Sequence, residues 1–178
     1  MKRSVAIILL AAVLAAVSCS KETDPYTTQD EAIQAFVEAL LETDAGYTVT
    51  TNEGVVRVTL SQGSGDALGR SGKATVYYAA YNLTKGISES GLVATNVAQL
   101  AEEAGLNISA IGTDPVTVSL SDTRLLDGLR KGLAGAKAGE ECLVLFNAKE
   151  GRGASPYGTI PAASPLAFRI WILSLNNE

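Results

Sequence analysis

Three groups of residues in this chain bear on chemistry, and the first does so by its absence. The chain has no histidine, which removes the commonest general base and the commonest metal ligand near neutral pH. No cofactor or metal is therefore expected. Two cysteines form the second group. Cys19 follows Ala16, Val17 and Ser18 at the end of an apolar run, the setting of a thiol that is lipidated after export. Cys142 lies between Glu141 and Leu143 in an apolar segment. With Cys19 acylated it has no partner, so it reads as a buried, inert thiol. The third group is a loop in which Gly151, Gly153, Pro156, Gly158 and Pro161 fall within about a dozen residues, a length that in a compact domain is usually functional. It carries Arg152, Tyr157 and Ile160 between two apolar segments. Whatever chemistry occurs must manage without histidine as base or metal ligand.

The elements around this loop follow from hydrophobic spacing. Leu125, Leu126, Leu129 and Leu133 stand at i, i+1, i+4 and i+8, one face of a short helix. Residues 142–147 and 166–175 are rich in Val, Ile, Leu and aromatics and are bounded by turn residues, so they read as strands. Trp171 alternates with Ile170 and Ile172 on the second and reads as packing. Residues 73–82 read as a strand with one buried side, Val76, Tyr78 and Ala80 opposing Tyr77 and Tyr81. Residues 47–51 and 55–60 flank Asn52, Glu53 and Gly54, a hairpin turn signal. Asn96 opens a helix over 97–104 that Gly105 stops. Ala32, Ile33, Phe36, Val37, Leu40 and Leu41 make 29–42 an amphipathic helix, with Thr28 as N-cap and Glu31 as its capping-box partner. Such a stripe either docks on its own domain or makes a homodimer contact.

At the N-terminus, Lys2 and Arg3 precede an unbroken apolar run over 5–17, the pattern of a secretory signal peptide. The run falls short of the about 20 apolar residues that a membrane span needs. Residues 1–18 are accordingly expected to be a signal peptide, and 19–45 a lipid anchor, tether and helix. Two or three acyl chains on Cys19 hold a protein on a membrane where one does not. The alternative is an ordinary signal peptide with an incidental cysteine beyond it. Residues 20–28, with Pro25, read as the tether, and the acidic run after Cys19 resembles the segment that sends some Bacteroidetes lipoproteins to the cell surface. The formal net charge of −5 argues against nucleic acid as a partner, since phosphate binding needs clustered Lys and Arg.

From Gly54 onward the chain resembles the FKBP-type peptidyl-prolyl cis-trans isomerases. The resemblance is carried by Gly54-Val55-Val56, Gly63-Ser64-Gly65, Tyr77-Tyr78 and Gly86, and then by the order Leu125-Leu126-Asp127-Gly128, Gly132-Leu133, Gly139-Glu140, Gly151-Arg152-Gly153, Tyr157-Gly158, Ile160-Pro161 and Ser164-Pro165-Leu166-Ala167-Phe168. It implies an α+β fold over 46–178, a curved antiparallel sheet wrapped around a short helix, here with an N-terminal helix and an inserted helix. It implies isomerisation of X-Pro peptides in an apolar pocket. Carried over by position, Tyr78, Leu125, Leu126, Ile160 and Phe168 match the family's pocket residues. Leu129 stands for the floor tryptophan, Val93 for a wall phenylalanine, and Arg152 for the loop tyrosine, whose hydroxyl Tyr157 would have to supply unless the Arg152 guanidinium donates in its place. The aspartate that follows the family's phenylalanine is missing.

Two functions fit these residues. One is an isomerase that assists the folding of exported proteins at the cell envelope, its partners being proline-containing polypeptides. The other is a degenerate, inactive domain that binds peptide or protein. The anchor is testable by itself: Cys19→Ser is expected to abolish lipid labelling of the expressed chain and leave a soluble or unprocessed product, and labelling that persists would refute the lipoprotein assignment.

Overall fold

The computed structural model describes residues 24–107, 112–156 and 158–177. Cys19 and Tyr157 lie outside the described residues. The elements are α1 (Pro25–Thr43), β1 (Thr48–Asn52), β2 (Val55–Ser61), β3 (Lys73–Asn82), β4 (Leu92–Thr95), α2 (Ala98–Glu103), β5 (Val116–Ser119), α3 (Asp127–Leu133), β6 (Glu141–Phe146) and β7 (Leu166–Asn176). Seven strands form one open, antiparallel sheet in the order β1-β2-β6-β7-β3-β4, with β5 also paired to β3. The expected α+β architecture is what the chain adopts. Glu53 and Gly54 both have positive φ, at 49° and 84°, as the tight β1–β2 hairpin requires.

The inner face of the sheet closes on α3. Val144 and Phe146 of β6, Val76 and Ala80 of β3 and Ile170 and Ile172 of β7 form one core with Leu133. The helix approaches so closely because two of its residues lack a side chain. A Cβ on Gly128 would lie 2.3 Å from the Phe146 ring, and one on Gly132 would lie 2.2 Å from a Val144 methyl. Arg57 of β2 fastens the helix end: its Nη1 donates to the carbonyls of Gly132 at 2.9 Å and Ala134 at 3.0 Å. Cationic nitrogen against C-terminal helix carbonyls is favourable in both charge and hydrogen bonding. Glu140 balances the charge from 3.4 Å and accepts from Thr59 Oγ1 and the Lys137 N–H, both at 3.0 Å.

Three sequence expectations change here. The outer face of the sheet is also buried, because α1 lies across it: Ile33 and Val37 pack with Val58, Ala79, Tyr81, Leu143, Leu145 and Ala167. β3 therefore buries both sides along its second half, and β6 reads as a continuous apolar run rather than an alternating one. The apolar stripe of α1 is consumed within the chain. Its start also differs, since the N-cap is Asp24, whose carboxylate accepts the Tyr26 N–H at 3.1 Å, and Pro25 occupies the first turn. Proline suits that place because its missing N–H needs no partner there. Thr28 lies inside the helix, so the polar stretch read as tether is partly helical.

The glycine contact yields a stability prediction. Ala for Gly in a helix ordinarily stabilises by up to about 1 kcal/mol, whereas forcing a methyl into a filled core costs roughly 1–3 kcal/mol. Gly132→Ala is expected to lower the urea midpoint of unfolding, because the clash is with a buried valine rather than a flexible surface chain. An unchanged or raised midpoint would show that the helix has room to lift.

Candidate functional site

Between α3, β3, β5, β7 and the 151–165 loop lies a cavity of about 350 Å³, within the range of small-molecule and peptide side-chain pockets. Leu125, Leu126, Leu129 and Leu133 line it from α3 and the turn before it; Val76, Tyr78 and Ala80 from β3; Phe168 and Ile170 from β7; and Ile160 from the loop. Tyr78 and Phe168 face it together because strand period 2 sends residues 76, 78, 80 and 168, 170, 172 to the inner face. Their ring centroids are 6.4 Å apart and tilted by 36°. Phe146, beneath, stacks on Phe168 at 5.8 Å. Rings at such offsets attract each other beyond their area of contact. The charged groups on the lining are Arg124 and Arg152.

The frame of the cavity is held by buried polar side chains. Asn96 Oδ1 accepts the Tyr78 N–H at 2.7 Å, and its Nδ2 donates to the carbonyls of Val76 and Asp114. Thr95 Oγ1 donates to the Tyr78 carbonyl at 2.6 Å and accepts from the Val97 N–H. The backbone on both sides of the tyrosine is thus fixed where β4 ends. Asn96 serves β3 in this way, and α2 begins one residue later than expected with Val97 at its N-cap. Arg130 on α3 donates to the carbonyls of Leu120, Asp122 and Leu125, which sets the turn that presents Leu125 and Leu126.

Of the residues expected from sequence, Tyr78, Leu125, Leu126, Leu129, Arg152, Ile160 and Phe168 meet at one cavity, and Val93 does not line it. Its place on the wall is taken by Ala94. The reason is a bulge in β4: Ala80 pairs with Ala94 while Tyr81 pairs with Leu92, leaving Val93 as the extra residue. A bulge shifts alternation by one and cannot be read by counting. Val93 meets the loop through its carbonyl, which accepts from Thr159 Oγ1 at 3.3 Å. Sequence reasoning also missed Val116 and Val118, contributed by β5 crossing beside β3.

Residues 97–173 match the family model of the FKBP-type peptidyl-prolyl cis-trans isomerases. Over those residues the chain is of the FKBP type. Its fold is similar to that of a peptidyl-prolyl cis-trans isomerase from Pseudomonas syringae, at 18% identity and a TM-score of 0.56 over 86% of this chain and 98% of that one. FkpA from Escherichia coli is similar at 16% identity and a TM-score of 0.59 over 85% of this chain and 61% of that one. The N-terminal domain of FKBP42 from Arabidopsis thaliana is similar at 16% identity and a TM-score of 0.55 over 72% of this chain and 92% of that one. No curated protein matches by sequence.

The cavity lining offers no general base. Among the described residues no group of His, Cys, Asp and Glu is arranged to hold a metal ion. The described thiol, Cys142, lies buried in the inner core rather than on the cavity. Burial pushes it up to about 12, with the Glu140 carboxylate adding to the rise. Because the folded value lies above the ordinary 9.0, the neutral thiol's contribution to stability is full below 9.0 and lost as pH rises toward 12. A disulfide reagent at pH 8 is therefore expected to leave Cys142 unmodified in the folded chain and to modify it fully in denaturant. Rapid labelling of the folded chain would contradict the buried, neutral thiol.

Proposed function

We propose that this chain isomerises X-Pro bonds of exported polypeptides at the cell envelope, to which lipid on Cys19 tethers it. The observation that carries the activity is the apolar cavity walled by Tyr78, Phe168, Ile160 and the leucines of α3. An X-Pro amide turns slowly because rotation breaks its resonance, against a barrier of roughly 18–20 kcal/mol. The twisted amide is less polarised than the planar one. A dry cavity that excludes water from the proline ring favours the twisted form, and that difference in binding is the catalysis. No proton transfer is needed, in keeping with a chain that lacks histidine. Arg152, on the cavity wall, supplies guanidinium donors for the carbonyl of the residue before proline. The envelope location is supported by Lys2, Arg3, the apolar run and Cys19.

Leu129 and Ala94 leave the cavity wider and less aromatic than a tryptophan and a phenylalanine would. A proline ring held by fewer contacts loses on the order of 1–3 kcal/mol, or about one to two decades in rate at 1.4 kcal/mol per decade. In a protease-coupled assay the chain is expected to show slow but measurable isomerisation of X-Pro peptides, faster in Leu129→Trp and about tenfold slower in Tyr78→Ala. A wild-type rate equal to the uncatalysed one, with Leu129→Trp restoring nothing, would leave a peptide-binding module in its place.

A further inference from the structure

We propose that Gln29 of α1 is a positioning residue for the cavity, acting through the 151–165 loop. This rests on the isomerase reading for its kinetic readout. α1 lies against the outer face of the sheet and contributes no residue to the cavity. Its first turns nonetheless hold both feet of the loop. Gln29 Oε1 accepts the Ala148 N–H at 2.8 Å, and Gln29 Nε2 donates to the Ala163 carbonyl at 2.9 Å. One carboxamide thus bridges the backbone immediately before and near the end of the loop that brings Arg152 and Ile160 to the cavity.

The points it grips are ones the backbone does not hold cheaply. Ala163 has φ of 52°, a conformation few residues other than glycine adopt. The loop is closed there by Gly153 N–H donating to the Ala148 carbonyl at 2.7 Å and Ala163 N–H donating to the Gly153 carbonyl at 2.8 Å. Gln29 ties the outer ends of this chain of bonds to a helix anchored by Ile33 and Val37. The next residue strengthens the same foot: Asp30 Oδ1 accepts from Asn147 Nδ2 at 2.7 Å, and Asn147 Oδ1 caps the turn Ala148–Glu150. A side chain that touches no cavity atom therefore sets where the cavity wall stands.

The experiment compares the full chain with Gln29→Met, which keeps the length and removes both bonds, and Gln29→Glu, which keeps the acceptor for Ala148 and loses the donor to Ala163. Amide hydrogen exchange and isomerase kinetics are measured on each. In Gln29→Met, exchange over 151–163 is expected to accelerate by about tenfold, the scale of one or two lost hydrogen bonds, with β6 and β7 unchanged. KM for an X-Pro peptide rises severalfold while kcat is kept, and Gln29→Glu falls between. Unchanged loop exchange, acceleration spread equally over β6 and β7, or an opened loop with KM unmoved would each overturn the proposal. If the wild type shows no isomerisation, the functional reading fails separately. The clamp is then decided by loop exchange together with the Kd of the same peptide in place of KM.

Discussion

The structure depends on how closely α3 lies on the sheet. Gly128 and Gly132 sit one turn apart, and the backbone between them rests directly on Phe146 and Val144. Close approach brings Leu129 and Leu133 level with Tyr78 and Phe168, so the helix supplies one wall of the cavity and the sheet the other. The contact is fastened at the helix end by Arg57. That guanidinium and its Glu140 partner are almost wholly buried, at 9% and 5% exposure. Removing one member of such a pair leaves a buried charge uncompensated, typically at a cost of about 3–5 kcal/mol. The pair is thus bound to the helix placement and, through it, to the cavity.

Covering the sheet on both faces has a second consequence. A strand packed on one side bends and slips more easily than one held between two layers, because a register shift exposes only one set of side chains. β6 and β7 carry apolar residues to α3 on one face and to α1 on the other. Cys142, Val144 and Phe146 serve the first face and Leu143 and Leu145 the second. The strand that presents Phe168 is therefore fixed by packing on both sides.

Polar groups at the site mainly position rather than react. Thr95 and Asn96 are buried and spend their hydrogen-bonding capacity on the backbone around Tyr78. Arg130 spends its own on the turn before α3. Each replaces water as the partner of a main-chain group that the cavity would otherwise leave wet. An apolar cavity beside a sheet with an irregular edge needs such substitutes, since its lining offers these main-chain groups few polar partners.

The sequence by itself determined the strands, the short helix and much of the cavity wall, because these follow from local periodicity: Tyr78, Leu129 and Phe168 each stand at positions that period 2 or 3.6 sends inward, whereas Leu125, expected on the helix, reaches the wall from the turn before it. Its glycine and proline spacing also set apart the loop that carries Ile160 and Arg152. Ala94 rather than Val93 on the wall was decided by a bulge, a pairing between strands that leaves no mark on either strand's own sequence. The packing of α1 on the outer face was decided by the partner surface it meets, since an apolar helical stripe states only that something apolar must cover it. The Arg57–Glu140 pair joins residues far apart in the chain, and nothing near either residue marks its partner. Only the assembled sheet, by setting β2 beside β6, brings that cation to the end of α3.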